Sequence, residues 1–435
     1  ITAKRVRAIF FIIDRFNLYC LFVFNPANSQ VVSTIAGSSA GYQDGQGTSA
    51  KFNGSAGIVV DANGNLFVAD RLNHCIRKIT PTGMVSTFAG SGIAGFLDNT
   101  GIAAQFYYPT HLAIDLNGNI FVADSNNHRI RKISPAGVVT TIAGSSSGFA
   151  DGIGNDAQFS YPEGVAVDNL GNIFVADSNN HRIRKITSSG AVTTLAGSDT
   201  FGFADGNGIS AKFWTPCAIA LDSNGVIFVA EKQNNRIRKV LQNGDVSTFA
   251  GNGNSGSANG TGTAAEFRNP FGIAIDVEGN IYVSDSSNNR IRKITTTGVV
   301  TTLAGSSSGY LDGIGTSAKF SYPIGISVAT DGKVFVSESG GCKIRMITST
   351  LNNNSFVLEN QIVLFPNPSS SIINFELQDV ILSKITIFDI NNRIIDTKIG
   401  FNNQNNIDIH NLQNGIYILQ ISTDKGIITK KIIKN

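Results

Sequence analysis

One six-residue phrase recurs six times in this chain at a nearly constant interval, and it limits the fold more than any other feature. Val-Ser-Thr-Ile-Ala-Gly at residues 32–37 returns as close variants ending at Gly90, Gly144, Gly197, Gly251 and Gly305, at spacings of 53, 54, 53, 54 and 54 residues. A second marker, Phe-Val-Ala-Asp or a variant, ends at Asp70, Asp124, Asp177, Glu231, Asp285 and Glu338. A fixed period of this kind means one supersecondary unit, repeated and stacked on its neighbours to share a core.

The unit that begins at Phe159 contains four β-type stretches, 164–168, 173–177, 182–187 and 192–196. Asp168-Asn169-Leu170-Gly171 separates the first two, Asn179-Asn180 the next pair and Ser189-Gly190 the last, all residues that favour tight turns. Four short antiparallel strands per unit are a propeller blade. The sixth unit stops after its third stretch at 343–347, whereas the chain carries a spare phrase at 31–37. The N-terminal strand is therefore expected to pair with the third strand of the last blade and remove the open edge. The expected fold is all-β: a six-bladed β-propeller closed by an N-terminal strand, plus a small C-terminal β-sandwich.

Composition agrees with strands and turns: 46 glycines and only 15% charged residues. Lys+Arg 34 against Asp+Glu 31 leaves +3, which argues against a nucleic-acid or membrane-surface partner. Cys20, Cys75, Cys217 and Cys342 share no pairing motif, so no disulfide framework is expected. The chain starts at Ile1, and Met84 and Met346 are its only methionines, so the start is expected to be truncated or miscalled. Residues 1–29 nonetheless resemble a signal peptide: Lys4, Arg5 and Arg7, then apolar runs at 8–13 and 18–24, then Ala27-Asn28-Ser29. Asp14 and Arg15 interrupt the apolar stretch, and neither run approaches the roughly 20 residues of a spanning helix, so no transmembrane span is expected.

The repeat, Pro-x-Gly-Ile/Val-Ala-Val/Ile-Asp through Asn-His-Arg-Ile-Arg-Lys-Ile, as at Asn127-His128-Arg129-Ile130 and Asn180-His181-Arg182-Ile183, resembles the NHL-repeat family of propellers over about residues 31–349. The resemblance is specific for fold and poor for function, because that family includes RNA-binding domains, a peptide-amidating lyase and extracellular bacterial modules. After an Asn-rich linker, Leu364-Phe365-Pro366-Asn367-Pro368, Asn414-Gly415-Ile416-Tyr417 and the basic-apolar end at 430–433 resemble the type A sorting domain of the type IX secretion system of Bacteroidota. Asn392 stands where that family often has Gly. The resemblance implies export across the outer membrane, release or surface attachment, and the secretion machinery as partner of residues 359–435. The expected divisions are a signal peptide at 1–29, the propeller at 30–348, a linker at 349–358 and the sorting domain at 359–435.

The repeated polar residues are expected to be structural. His74, His128 and His181 occupy one turn position in different blades and should not converge on a metal, which needs ligands within roughly 2.0–2.1 Å of zinc. The Asp70 and Arg77 series are expected to pair, since buried charge needs a partner. Asp44, Asp98, Asp151, Asp205 and Asp312 supply one loop carboxylate each, too few for calcium, and a turn or capping role is expected. The first strands, which should line the central channel, are small and apolar except for His111. The zinc histidines of the amidating lyases and the acidic channel residues of lactonase-type propellers are not matched, so no cofactor or metal and no catalytic residue is assigned.

Candidate function therefore lies where the repeats differ, in the stretches just before each first strand. Tyr107, His111, Glu163, Trp214, Arg268 and Phe271 are the expected ligand-binding residues at the channel mouth. Tyr108, Tyr161 and Tyr322 share a repeat position and are expected to plug gaps between blades. Aromatic faces with a few polar groups suit sugars or peptides. The reading is a secreted or cell-surface binding module for an extracellular glycan or peptide. The alternatives are a lyase or hydrolase using Glu163 with His111, and a structural adhesion element.

Overall fold

The second stretch of each repeat is apolar or small up to its final carboxylate rather than alternating, and the reason is that both of its faces are covered by neighbouring sheets. In the third blade it is the strand Ile173–Asp177, buried throughout. It pairs antiparallel with the inner strand Pro162–Val167 and with Arg182–Ile186, which in turn pairs with Ala191–Ala196. The computed structural model describes residues 29–350, 362–378, 381–390, 393–399, 405–424 and 426–435. The expected signal peptide (up to residue 28), Cys20, Asn392 and nearly all of the expected linker lie outside these.

Residues Gln30–Ser349 form one compact unit, and Thr350–Asn435 belong to another. The first unit is six sheets of four or five strands. Their inner strands are Ser55–Val60, Pro109–Ile114, Pro162–Val167, Pro216–Leu221, Pro270–Ile275 and Pro323–Val328. Each packs on the next and the sixth packs on the first, which closes a six-bladed propeller. The ring is tight. A Cβ at Gly164 would come within 2.9 Å of the Ala218 Cα, and one at Gly272 would overlap the Ile324 carbonyl. The N-terminal strand Ser29–Ala36 lies beside Lys343–Thr350 and completes the sixth blade, as the spare phrase requires.

One local feature was not anticipated. A two-residue strand, such as Gly152–Ile153, adds to the outer edge of five of the sheets. In the second blade a single bridge, Thr100 to Val138, takes its place. Each blade thus shields its outermost strand from pairing with another chain. The Asp-x-x-Gly turn forms as expected: Asp168 Oδ1 accepts the N–H groups of Leu170 and Asn172 at 2.9 and 2.8 Å. Gly171 follows at φ +80°, left-handed backbone that glycine adopts at little cost.

At the centre of each blade is a fully buried arginine. Arg77, Arg131, Arg184, Arg238, Arg292 and Arg345 pair with Asp70, Asp124, Asp177, Glu231, Asp285 and Glu338 at 2.6–2.8 Å, with both partners inaccessible to solvent. The loop carboxylates are the second partners of these arginines: Asp44, Asp98, Asp151, Asp205 and Asp312 lie at 2.5–2.7 Å. This corrects the expected turn or capping role. In the fifth blade Asn259 Oδ1 accepts from Arg292 instead, at 2.9 Å. Each guanidinium also lies near a buried phenylalanine, as Arg184 does over Phe159 at 5.2 Å. Burial pushes the Asp124 and Asp177 carboxyls up to about 6, so desolvation outweighs the attraction of the guanidinium.

The second unit has a three-stranded sheet, ordered Ile362–Phe365, Ile372–Leu377, Asn406–Asp408, and a four-stranded sheet, ordered Ile394–Ile399, Leu382–Asp389, Gly415–Thr423, Gly426–Lys434. Alternate residues such as Ile373, Phe375, Ile385, Ile387, Leu419 and Ile421 form its core. Asn367 binds the final strand from both sides, donating to the Lys431 carbonyl and accepting from the Ile433 N–H, each at 2.8 Å. Two motifs far apart in sequence thus meet.

Replacing Arg184 by Met strands Asp177 without its cation and should lower stability by about 3–5 kcal/mol. Asp151→Asn copies the arrangement of the fifth blade at a solvent-facing partner and should cost about 1 kcal/mol or less. Urea unfolding of both variants checks the contrast, and equal losses would contradict the central role of the buried pair.

Candidate ligand site at the channel mouth

The six candidate residues fall on three repeat positions within five residues of the buried phenylalanine. Tyr107, Trp214 and Arg268 occupy the position just after the buried phenylalanine, and each donates its backbone N–H to the buried carboxylate of its blade, at 2.8, 2.7 and 2.7 Å. The ion pair that holds the blade therefore also holds the backbone from which these side chains project. All three are exposed. Glu163 and Phe271 share the second position of the inner strand, and His111 holds the next one.

The structure moves His111 away from the mouth surface. It stands where other blades have Gly57, Gly164, Ala218, Gly272 and Gly325, and its ring is wedged against the third blade. It is 7% exposed, and its Nδ1 lies 3.0 Å from the Val165 carbonyl oxygen. Burial lowers its pKa to about 4. His111 also helps to line a central cavity of about 240 Å³ whose other walls are mostly apolar residues such as Ile58, Ala113 and Ala220. No three His, Cys, Asp or Glu side chains cluster as metal ligands would among the described residues.

Of the three repeated tyrosines, Tyr161 and Tyr322 depart from expectation, at 41% and 39% exposed, whereas Tyr108 is half-buried against His74 of the preceding blade. Their backbones are left-handed, at φ +54°, +49° and +53°. A non-glycine residue adopts that conformation only where its surroundings enforce it. Part of the enforcement comes from the preceding blade. His74 Nδ1, His128 Nδ1 and Asn289 Oδ1 lie 3.3, 3.2 and 3.0 Å from the N–H groups of Tyr108, Tyr161 and Tyr322. The repeated His/Asn position is thus an inter-blade clasp as well as a turn residue.

Two aromatic clusters result. Tyr107, Tyr108 and His74 lie together at the first boundary, with ring centroids 5.0–5.7 Å apart. At the third boundary Trp214 lies 5.2 Å from Phe201, tilted by 33°, and Phe201 contacts His181. Phe201 is 60% exposed and was missed from sequence, although no other repeat has an aromatic at that loop position.

Arg71 and Lys232 were also missed. They replace the serine that follows the second strand elsewhere, and Ser178 and Ser286 use that hydroxyl to donate to the Pro216 and Pro323 carbonyls of the next blade. The longer side chains instead reach over aromatic rings of the next blade, Arg71 over Tyr108 at 5.4 Å and Lys232 over Phe271 at 5.6 Å. Glu163 Oε2 is shielded from solvent and has no hydrogen-bond partner. Burial raises the Glu163 carboxyl above the ordinary glutamate range, while Lys232 and Arg71 pull it back. These two cations belong to the first and fourth blades, and both act on the charge of Glu163 in the third. Arg268 shares none of these contacts.

The depressed His111 pKa has a thermodynamic consequence. The unfolded chain takes up a proton near pH 6.5 that the folded chain refuses until about pH 4. The resulting contribution, on the order of 3 kcal/mol, is present above pH 6.5 and lost as pH falls toward 4. His111→Ala, which copies Ala218, should flatten this part of the stability–pH curve relative to the parent. Parallel curves for the two proteins would contradict the assignment.

Comparison with known proteins follows the same division of the chain. Residues 52–79, 106–133 and 159–186 match the NHL repeat, 253–313 the teneurin NHL domain, and 363–435 the secretion system C-terminal sorting domain. NHL repeat-containing protein 2 of Gallus gallus is 30% identical over 309 residues, which are 61% of this chain and 42% of that protein. The chain thus spans less than half the length of that relative. A Bacteroides thetaiotaomicron protein of unknown function superposes with a TM-score of 0.59 at 22% identity, over 73% of this chain and 76% of that one. An auxiliary nutrient binding protein from the same organism gives 0.57 at 18% identity over the same shares. At these identities the likeness to the solved structures is one of fold. The chain is an NHL-repeat propeller followed by a secretion system C-terminal sorting domain, exported by type IX secretion to the cell surface or extracellular space.

Proposed function

We propose that the propeller is an extracellular binding module whose channel mouth takes a glycan or peptide. The observation that carries the reading is the grouping of exposed aromatic rings, Tyr107, Tyr161, Phe201, Trp214 and Tyr322, in the loops at one end of the inner strands. Solvent-facing rings on a backbone clamped by buried ion pairs are preorganised, so a ligand pays little ordering cost when it stacks on them. Tyr42, Phe96, Phe149, Phe203 and Tyr310, all exposed, extend the aromatic character outward, and three of them lie over arginines at 3.7–3.9 Å. One fold neighbour is described as an auxiliary nutrient binding protein, a role of the same kind.

A second reading, a lyase or hydrolase at the same mouth, draws on Glu163 alone. A buried carboxyl with a raised pKa is the form in which a glutamate acts as general acid. His111, its expected companion, is tied to Val165 and neutral above about pH 4.

The test is retention of the full chain on a panel of immobilised bacterial, algal and plant glycans and peptides, with product masses followed in parallel. Trp214→Ala should weaken retention by about tenfold or more, as loss of an aromatic anchor does, with no change in the unfolding midpoint. Unchanged retention would remove this site from the reading. New product masses that vanish in Glu163→Gln would replace binding by catalysis.

A further inference from the structure

The charges at the mouth narrow the ligand class, on the basis of the binding reading above. Arg71 and Lys232 form no ion pair among the described residues, and Arg71 Nε is buried without a hydrogen-bond partner. Glu163, the acidic group whose pKa they both depress, does not reach either of them as an ion pair. Two cations and one carboxylate thus face the same opening with their hydrogen-bonding capacity unspent. The six guanidiniums at the blade centres, by contrast, each pair with a buried carboxylate within 2.8 Å. All three stand where the repeat itself is broken: serine gives way to Arg71 and Lys232, and small or apolar residues give way to Glu163.

We infer that the mouth recognises a carboxylate-bearing sugar, a uronic acid residue of an acidic polysaccharide. Its carboxylate would be held by Arg71 and Lys232, through the guanidinium fork and the ammonium point charge respectively. One of its hydroxyl groups would donate to the Glu163 carboxylate through Oε1, the oxygen that is not shielded as Oε2 is. The flat faces of Trp214, Phe201 and Tyr107 would stack on the sugar's C–H faces. An acidic peptide fits less well. A peptide that binds by adding to a free strand edge has no such edge here, because the mouth residues are turns and strand starts and five of the six outer strands are already paired by the two-residue strands.

The experiment uses the full chain at about 0.15 M salt, where surface charge is largely screened beyond about 8 Å. Retention is measured on polygalacturonate, on the same polymer reduced at its carboxyl groups to the neutral galactan, and on hexaglutamate. The parent should prefer polygalacturonate over the reduced polymer by about tenfold or more. Arg71→Gln with Lys232→Gln should bring the ratio close to one, and Arg71→Lys should keep part of the preference. Lys333→Gln, on a turn at the opposite end of the inner strands, should leave the ratio unchanged. Equal retention of the two polymers by the parent would overturn the inference and leave the broader binding reading standing. Retention of hexaglutamate as strong as that of polygalacturonate would overturn it in favour of an acidic peptide. Failure to retain polygalacturonate at all would also overturn it, and the Trp214 panel would then decide the broader reading by itself.

Discussion

The buried arginine–carboxylate pair is the interaction on which the rest of the propeller depends. A charged guanidinium in a fully buried position is costly, and it persists here because nearly every donor is used. Arg184 bonds Asp177, Asp151 and the carbonyls of Gln158 and Ala150. Asp177 in turn accepts from the Ser160 N–H and the Asn180 amide. One ion pair thus joins the second and third strands to the loop before the inner strand and to the loop that arrives from the preceding blade. Only the Arg184 Nε is left without a partner. An apolar core of similar volume would be as stable or more so. It would not tie four chain segments together, however, and it would not hold the first mouth residue by its N–H.

That last bond links stability to function. Six copies of the same clamp present six copies of the same launching point, and what is launched differs: Asn53, Tyr107, Ser160, Trp214, Arg268 and Ser321. The scaffold can stay rigid and nearly symmetric while the face it supports becomes lopsided. The aromatic clusters and the unpaired charges gather at the boundaries from the first blade to the fifth, and the sixth contributes Ile324 and Tyr322. A repeat protein can acquire a specific site in this way without altering its core, because only positions outside the clamp change.

The site was partly legible in sequence because departures from a repeat are visible by inspection. Trp214, Glu163 and Phe271 stood out in the stretch before the inner strand, where attention was directed. Arg71, Lys232 and Phe201 are departures of the same kind but lie in other parts of the repeat, about 20 residues away or in the preceding loop. Only the curling of the second-strand ends and the inter-blade loops toward the same opening brings them alongside. His111 failed in the opposite sense. It is as conspicuous a departure as any, yet the alternation along its strand turns it toward the neighbouring blade. The tyrosines at 161 and 322 are exposed although they repeat, on a backbone that is left-handed.

Sequence alone determined the number of blades, the order of strands within each, the closing role of the N-terminal strand and the nature of the C-terminal domain. These follow from period, turn residues and a missing sixth phrase, all of them local or countable. Tertiary structure decided which charges are satisfied and which are left open. The loop aspartates proved to be arginine partners across 33 residues of chain, as from Asp151 to Arg184, while Arg71 and Lys232 act on the charge of Glu163 only because the blades fold round one axis. Pairing energy depends on distance and burial, and neither is written in a linear chain until the blades have packed around a common axis.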